Sequence, residues 1–209
     1  MLVLKDPAPG SSELAYVHRA LEQGELVVVP TDTVYGLAAL ASDEAAVRKM
    51  YECKGRDATQ PTAVVFSSIP QLQEALPDMG VRATWAVQSL LPGPWTLVID
   101  NPDARWTWLT GGVAGPIGVR VPAGAVDLPP IAATSANVAG APTAAQLTEL
   151  APELLEHVSC AIDRGVLPAE GESTVLDLVA WSRGDGDVRV LRDTPGRAGQ
   201  ALAVLADAP

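Results

Sequence analysis

Leu26-Val27-Val28-Val29-Pro30-Thr31-Asp32-Thr33-Val34-Tyr35-Gly36-Leu37 is the stretch on which the fold class turns. Four consecutive apolar residues stopped by a proline read as a short strand of a sheet covered on both faces. Residues 30–37 then read as the segment that leaves this strand. Ligands of open α/β sheets gather at the carboxyl ends of strands, so Thr31, Thr33 and Tyr35 become candidate uncharged hydrogen-bonding groups.

Working outward, Ser11 or Ser12 can cap a helix that carries Leu14, Val17 and Leu21 at helical spacing and stops at Gly24. On the other side, Ser42, Asp43 and Glu44 form a capping arrangement ahead of a helix with Val47, Met50 and Tyr51 on its buried face. That helix delivers Cys53, Lys54, Gly55 and Arg56. Further strands are expected at residues 62–66, 96–99, 117–121, 131–134, 160–162, 174–179 and 188–191. Helices are expected over 81–91 and behind a capping box of Thr143 and Gln146. Beyond residue 160 no long helix is available for crossovers, so the sheet should turn antiparallel there, with 183–187 as a hairpin tip. The expectation is an α/β fold: an open, twisted, mixed parallel and antiparallel sheet flanked by helices, with a concave electropositive cavity. One domain should hold the 209 residues, with a core over about 12–192 and a tail at 193–209.

Composition narrows the function. A formal net charge of −11 repels polyanions at long range, so any anion site must be local and concave. Cys53 and Cys160 lie far apart with no CxxC or CxxH partner, which argues against a disulfide framework or a structural zinc. Met1 to Gly10 holds no apolar run of signal-peptide length and nothing later reaches a membrane span, so the expected place is the cytoplasm.

Lys54 and Arg56 are two cations one residue apart beside Gly55, an arrangement that suits a triphosphate and equally suits a basic helix end. Ser135 and Asn137 follow an apolar strand with one residue between them, so an extended chain puts hydroxyl and amide on the same side. The alternative is an Asx or Ser/Thr turn. Arg120 falls inside a strand, where a guanidinium needs a carboxylate, a phosphate or a cavity rim; a buried ion pair is the structural option. Asp32 is a candidate general base, with turn formation preferred. His18 and His157 read as surface histidines and Cys53 as a structural thiol. No GxxxxGK(S/T) or GxGxxG is present, so a bound nucleotide would rest on the cations.

Taken together, the segments resemble the YrdC-like family of threonylcarbamoyl-AMP synthases, marked by PT(D/E)TVYGL, KxR and SxN in that order. The resemblance runs from about Leu26 to Arg192 and includes Pro92-Gly93-Pro94-Trp95-Thr96, Gly118-Val119-Arg120-Val121-Pro122, Ser173-Thr174-Val175-Leu176-Asp177-Leu178 and Val190-Leu191-Arg192. It implies a nucleotidyltransferase that converts L-threonine, bicarbonate and ATP to threonylcarbamoyl-adenylate and pyrophosphate, for the modification of adenosine 37 of tRNA. It further implies that Lys54, Arg56, Asn137 and Arg192 bind ATP with its Mg²⁺, Lys54 and Arg56 serving catalysis. Thr33, Arg120, Ser135 and Ser173 would hold threonine, and downstream enzymes would transfer the threonylcarbamoyl group to tRNA. Departures from the family pattern are Asp57 after KxR, Thr62 after Pro61, a short link at 123–130 in place of a helix, and Asp193-Thr194-Pro195-Gly196 after Arg192. The rival reading is an RNA-binding or ribosome-maturation module on the same fold, without adenylation activity.

Overall fold

A computed structural model describes all 209 residues except 139, 141, 169, 170, 195 and 209. It begins with a strand that the sequence did not announce, β1 (Leu2–Lys5), whose burial pattern is mostly exposed. Helix α1 (Ser12–Glu22) is capped by the Ser11 hydroxyl, which accepts from Leu14 N at 3.1 Å, and buries Leu14, Val17, Ala20 and Leu21. Strand β2 (Leu26–Pro30) is buried at every position. Val28 joins the larger apolar cluster, whereas Val27 and Val29 join a second cluster with Leu14, Val17 and Leu21 of α1, so both faces are covered as expected.

Residues 30–37 do not simply leave the strand. They turn through 31–34 into β3 (Tyr35–Leu40), antiparallel to β2, with Thr31 N bonded to Val34 O. The Thr31 hydroxyl organises this turn, accepting from Thr33 N and Val34 N at 3.1 Å and donating to Val34 O at 2.7 Å. Helix α2 (Glu44–Lys54) starts at Asp43 rather than Ser42 and ends at Gly55, whose φ of 63° is the left-handed closure that glycine allows.

Strand β4 (Val64–Val65) is shorter than the expected 62–66: Thr62 N bonds Leu109 O, outside the ladder, and Phe66 N makes a last bond to Arg120 O of the parallel neighbour at 117–120. A helix that periodicity did not reveal, α3 (Ile69–Ala75), precedes α4 (Val81–Leu90). Strands β5 (Trp95–Ile99), β6 (Ile117–Arg120) and β7 (Ile131–Ser135) form where apolar runs placed them. The link at 123–130 has no helix. Thr143 caps nothing: a 3-10 turn at Leu147–Glu149 begins after Gln146, and the short α5 (Pro152–Leu155) follows.

The carboxyl-terminal part departs most from expectation. Strand β8 (Val158–Asp163) lies parallel to both β1 and β2, and β9 (Thr174–Asp177) lies parallel to β5. These partners come from far back in the chain, so no local crossover helix was needed. The segment at 183–187 is not a hairpin tip: α6 (Val179–Arg183) ends there on Gly184 at φ 80°. Only β10 (Arg189–Arg192) runs antiparallel to its neighbour β9. The tail holds α7 (Ala198–Leu205), and its Ala201 and Leu205 enter the larger cluster, so buried packing extends past 192; Pro195 lies outside the described residues. The sheet order is β1-β8-β2-β3-β7-β4-β6-β5-β9-β10, mixed parallel and antiparallel, with helices against it. Among the described residues no helix is long and apolar enough to cross a membrane.

Candidate functional site

Pairing of β3 with β7 sets Gly36 opposite Ser135 and Leu37 opposite Thr134, and Ala136 N bonds Tyr35 O. The 31–34 turn therefore lies beside the Ser135-Ala136-Asn137 segment. The end of α2 projects over the same place, and β4, β5, β6 and β9 close the other side. Together they bound a cavity of about 960 Å³ whose lining includes Lys54, Arg56, Arg120 and Arg192 with Ser135, Asn137 and Ser173. Two carboxylates, Asp57 and Glu172, also line it.

Lys54 is 6% exposed although it sits at a helix end. Its ammonium donates to Ser135 O at 2.5 Å, to Thr134 Oγ1 at 3.1 Å, and more distantly to Asn137 Oδ1 at 3.3 Å and Ser135 Oγ at 3.4 Å. Burial, with Arg56 nearby, pulls its pKa down to about 8, against a weaker pull upward from Glu172. Arg56 donates through Nη1 to Thr134 Oγ1 at 3.1 Å and through Nη2 to Pro61 O at 2.7 Å. Its guanidinium lies 5.9 Å from the centre of the Tyr51 ring. Asp57, the first departure after KxR, folds back on its own loop by accepting from Thr59 N and Thr59 Oγ1, both at 2.8 Å.

Arg120 and Asp32 form an ion pair whose side chains are each 10% exposed. The structural option raised for Arg120 is thus realised at the cavity wall itself. Arg120 Nη2 donates to Asp32 Oδ1 and also to Thr33 Oγ1, the latter at 2.8 Å, and Asp32 Oδ2 accepts from Ala123 N at 2.9 Å. Asp32 is consequently a tie between distant segments, not only a turn residue. Thr33, at 1% exposure, does not line the cavity; it stands behind Arg120 with its hydroxyl 3.1 Å from that of Thr31. Tyr35 likewise turns away, donating to Gly165 O at 2.8 Å and accepting from Arg164 N at 3.0 Å.

On the opposite wall, Arg192 donates through Nε to Ser173 O at 2.9 Å and through Nη2 to Ser173 Oγ at 3.1 Å, and pairs with Glu172. Ser173 Oγ also lies 2.8 Å from Thr96 Oγ1, and both hydroxyls border the cavity. Sequence reasoning missed Thr134, Thr96 and Glu172. Period-two alternation pairs Ser135 with Asn137 and assigns Thr134 to the other face. Lys54 and Arg56 nonetheless reach Thr134 at the end of β7. Glu172 and Thr96 could have been noticed only as neighbours of the Ser173 and Pro94-Trp95-Thr96 segments.

The remaining candidates fall outside the cavity. His18 is half-buried with Nε2 2.8 Å from Asp127 O, and His157 is exposed. Burial pushes the Cys53 thiol up from its ordinary range and the Cys160 thiol to about 11, which keeps both protonated and inert.

Residues 19–194 match the sequence profile of the Sua5_yciO_yrdC family, described as Telomere recombination. The chain is 36% identical over 168 residues to the threonylcarbamoyl-AMP synthase of Pyrococcus abyssi, which covers 77% of this chain and 49% of that protein. With the threonylcarbamoyl-AMP synthase of Homo sapiens it shares 32% over 203 residues, 84% of this chain and 71% of the relative. The crystal structure of P. abyssi Sua5 complexed with L-threonine is similar at a TM-score of 0.80 and 28% identity, over 99% of this chain and 61% of that one. The chain thus spans about half the length of the archaeal relative.

Proposed function

Since the chain belongs to the Sua5/YciO/YrdC family, we propose that it is an L-threonylcarbamoyladenylate synthase. The threonine amine and bicarbonate combine as a carbamate with loss of water. A carbamate oxygen then attacks the α-phosphorus of ATP, and pyrophosphate leaves. One observation carries this reading: four cations and three polar side chains from separate segments meet on a single cavity of about 960 Å³. The cations differ in their settings. Lys54 and Arg56 suit a polyphosphate, whereas a guanidinium held by Asp32 suits the threonine carboxylate.

In this reading Lys54, Arg56, Asn137 and Arg192 bind ATP, while Arg120, Ser135 and Ser173 hold threonine. Thr33 acts from behind, through its bond to Arg120. The carbamate is short-lived in water, so catalysis rests on holding it against the α-phosphate and on neutralising the charge that develops there. Among the described residues no cluster of three or more His, Cys, Asp and Glu could cage a metal, but Asp57 and Glu172 face the cavity. That set fits a Mg²⁺ carried mainly on the nucleotide's own phosphates, where it would reduce their charge. The adenylate would pass to an enzyme that transfers the threonylcarbamoyl group to tRNA in the cytoplasm, a reducing compartment that suits two free thiols.

Pyrophosphate release is expected to require ATP, bicarbonate and L-threonine together, falling to background when threonine is omitted. Release that ignores threonine would overturn the assignment. A pH dependence follows from Lys54. A bound polyphosphate favours the charged ammonium, so ATP affinity should be level below pH 8, where Lys54 is already protonated. Above that it should weaken by up to about tenfold per pH unit, with proton uptake on binding. Calorimetry in buffers of different ionisation enthalpy reads that uptake; affinity unchanged to pH 10 would count against an anion at Lys54.

A further inference from the structure

Thr134 precedes the SxN segment and is assigned nothing by the reading above. Its hydroxyl oxygen accepts from Lys54 Nζ and from Arg56 Nη1, each at 3.1 Å. A hydroxyl has two lone pairs and one proton. Here both lone pairs face cationic N–H groups, so the O–H bond is left only to donate. Among the described residues no acceptor receives that proton, and Thr134 borders the cavity. Two charge-assisted bonds to the oxygen also polarise the O–H and make it a stronger donor.

Lys54 offers a contrast. Its three protons face four protein acceptors, so a ligand meeting the ammonium must displace the longer contacts to Asn137 or Ser135 Oγ. The hydroxyl of Thr134 needs no such exchange, and it stands between the two cations where an anionic oxygen would settle.

We propose that Thr134 is a ligand-binding residue that donates its hydroxyl proton to a non-bridging phosphate oxygen of the nucleotide, oriented for this by Lys54 and Arg56. The proposal rests on the adenylating function and adds one neutral donor to the phosphate site. It is tested by calorimetric titration of ATP, inorganic triphosphate and L-threonine against the parent chain, Thr134→Val and Thr134→Ser. Thr134→Val should weaken ATP and inorganic triphosphate by about 10- to 100-fold, the range for a hydrogen bond to a charged group. L-threonine affinity should stay within about twofold, and Thr134→Ser should restore the phosphate ligands. Should Thr134→Val fail to fold by circular dichroism, Thr134→Ala carries the same expectation. Parent-like triphosphate binding by the apolar variant, an equal loss of L-threonine affinity, or no rescue by serine would each overturn the proposal. A parent chain that binds triphosphate through Thr134 yet releases no pyrophosphate would remove the synthase reading and leave this site standing.

Discussion

Replacing Lys54 with Met is expected to reduce threonine-dependent pyrophosphate release by about 10²- to 10³-fold, the usual loss when one preorganised donor is removed, while leaving the fold about as stable. The second half of that expectation follows from burial. Lys54 is 6% exposed and its pKa is about 8 instead of 10.5. A folded-state pKa below the unfolded one means that the unfolded chain holds the proton more tightly. Stability is therefore reduced by the full amount below pH 8 and recovers as pH rises towards the unfolded value. The reduction is on the order of 3 kcal/mol at neutral pH. Met fills similar space without a charge but gives up the charge-assisted bonds to Ser135 O and Thr134 Oγ1, each worth about 1.5–3 kcal/mol. The relief of burial and the lost bonds are of similar size, so the melting temperature at pH 7 should stay near that of the parent. Loss of stability together with activity would show that Lys54 is there to hold the structure. Retained turnover would remove it from the phosphate site.

The second large effect concerns Asp32. Asp32→Ala should destabilise the protein by about 3–5 kcal/mol, because it leaves a buried guanidinium without its counter-ion. For a chain of this size that lowers the melting temperature by roughly 10 °C or more. Burial already works against the charge of Arg120, and Asp32 is the principal group that offsets it. Combining Asp32→Ala with Arg120→Met should recover most of the loss, since an apolar pair carries no desolvation penalty. Both variants should lose threonine binding. Thermal unfolding of the two single variants and the double variant gives the coupling energy. If the double variant is no more stable than Asp32→Ala, the carboxylate matters through Ala123 and the turn, not through Arg120.

Lys54, Arg56, Arg120, Ser135 and Asn137, read from the residues themselves, and Ser173 and Arg192, implied by the family resemblance, all border one cavity. Thr33 does not, because its hydroxyl is occupied by Arg120 and Thr31. Among the elements, α1, α2 and β2 were legible since each carries its own signal: Ser11 as a cap and Gly24 as a stop, the Ser42-Asp43-Glu44 capping arrangement, and an unbroken apolar run ended by Pro30. Strand β3 was hidden in Tyr-Gly-Leu-Ala-Ala-Leu, which shows neither alternation nor β-branched residues, and α7 in a run of Ala and Gly with few large apolar positions.

By itself, the sequence determined where the first two helices and the strand between them lie, which of their faces are apolar, and which polar residue types are available for chemistry. These follow from caps, breakers and periodicity, all interactions between near neighbours. Tertiary structure alone decided that β8 inserts between β1 and β2, that Asp32 meets Arg120 across 88 positions, and that Lys54 is dehydrated enough to titrate near pH 8. The physical reason is common to all three. Strand partnership, ion pairing and desolvation depend on what lies within a few ångströms in space, and in this chain those neighbours come from remote parts of the sequence.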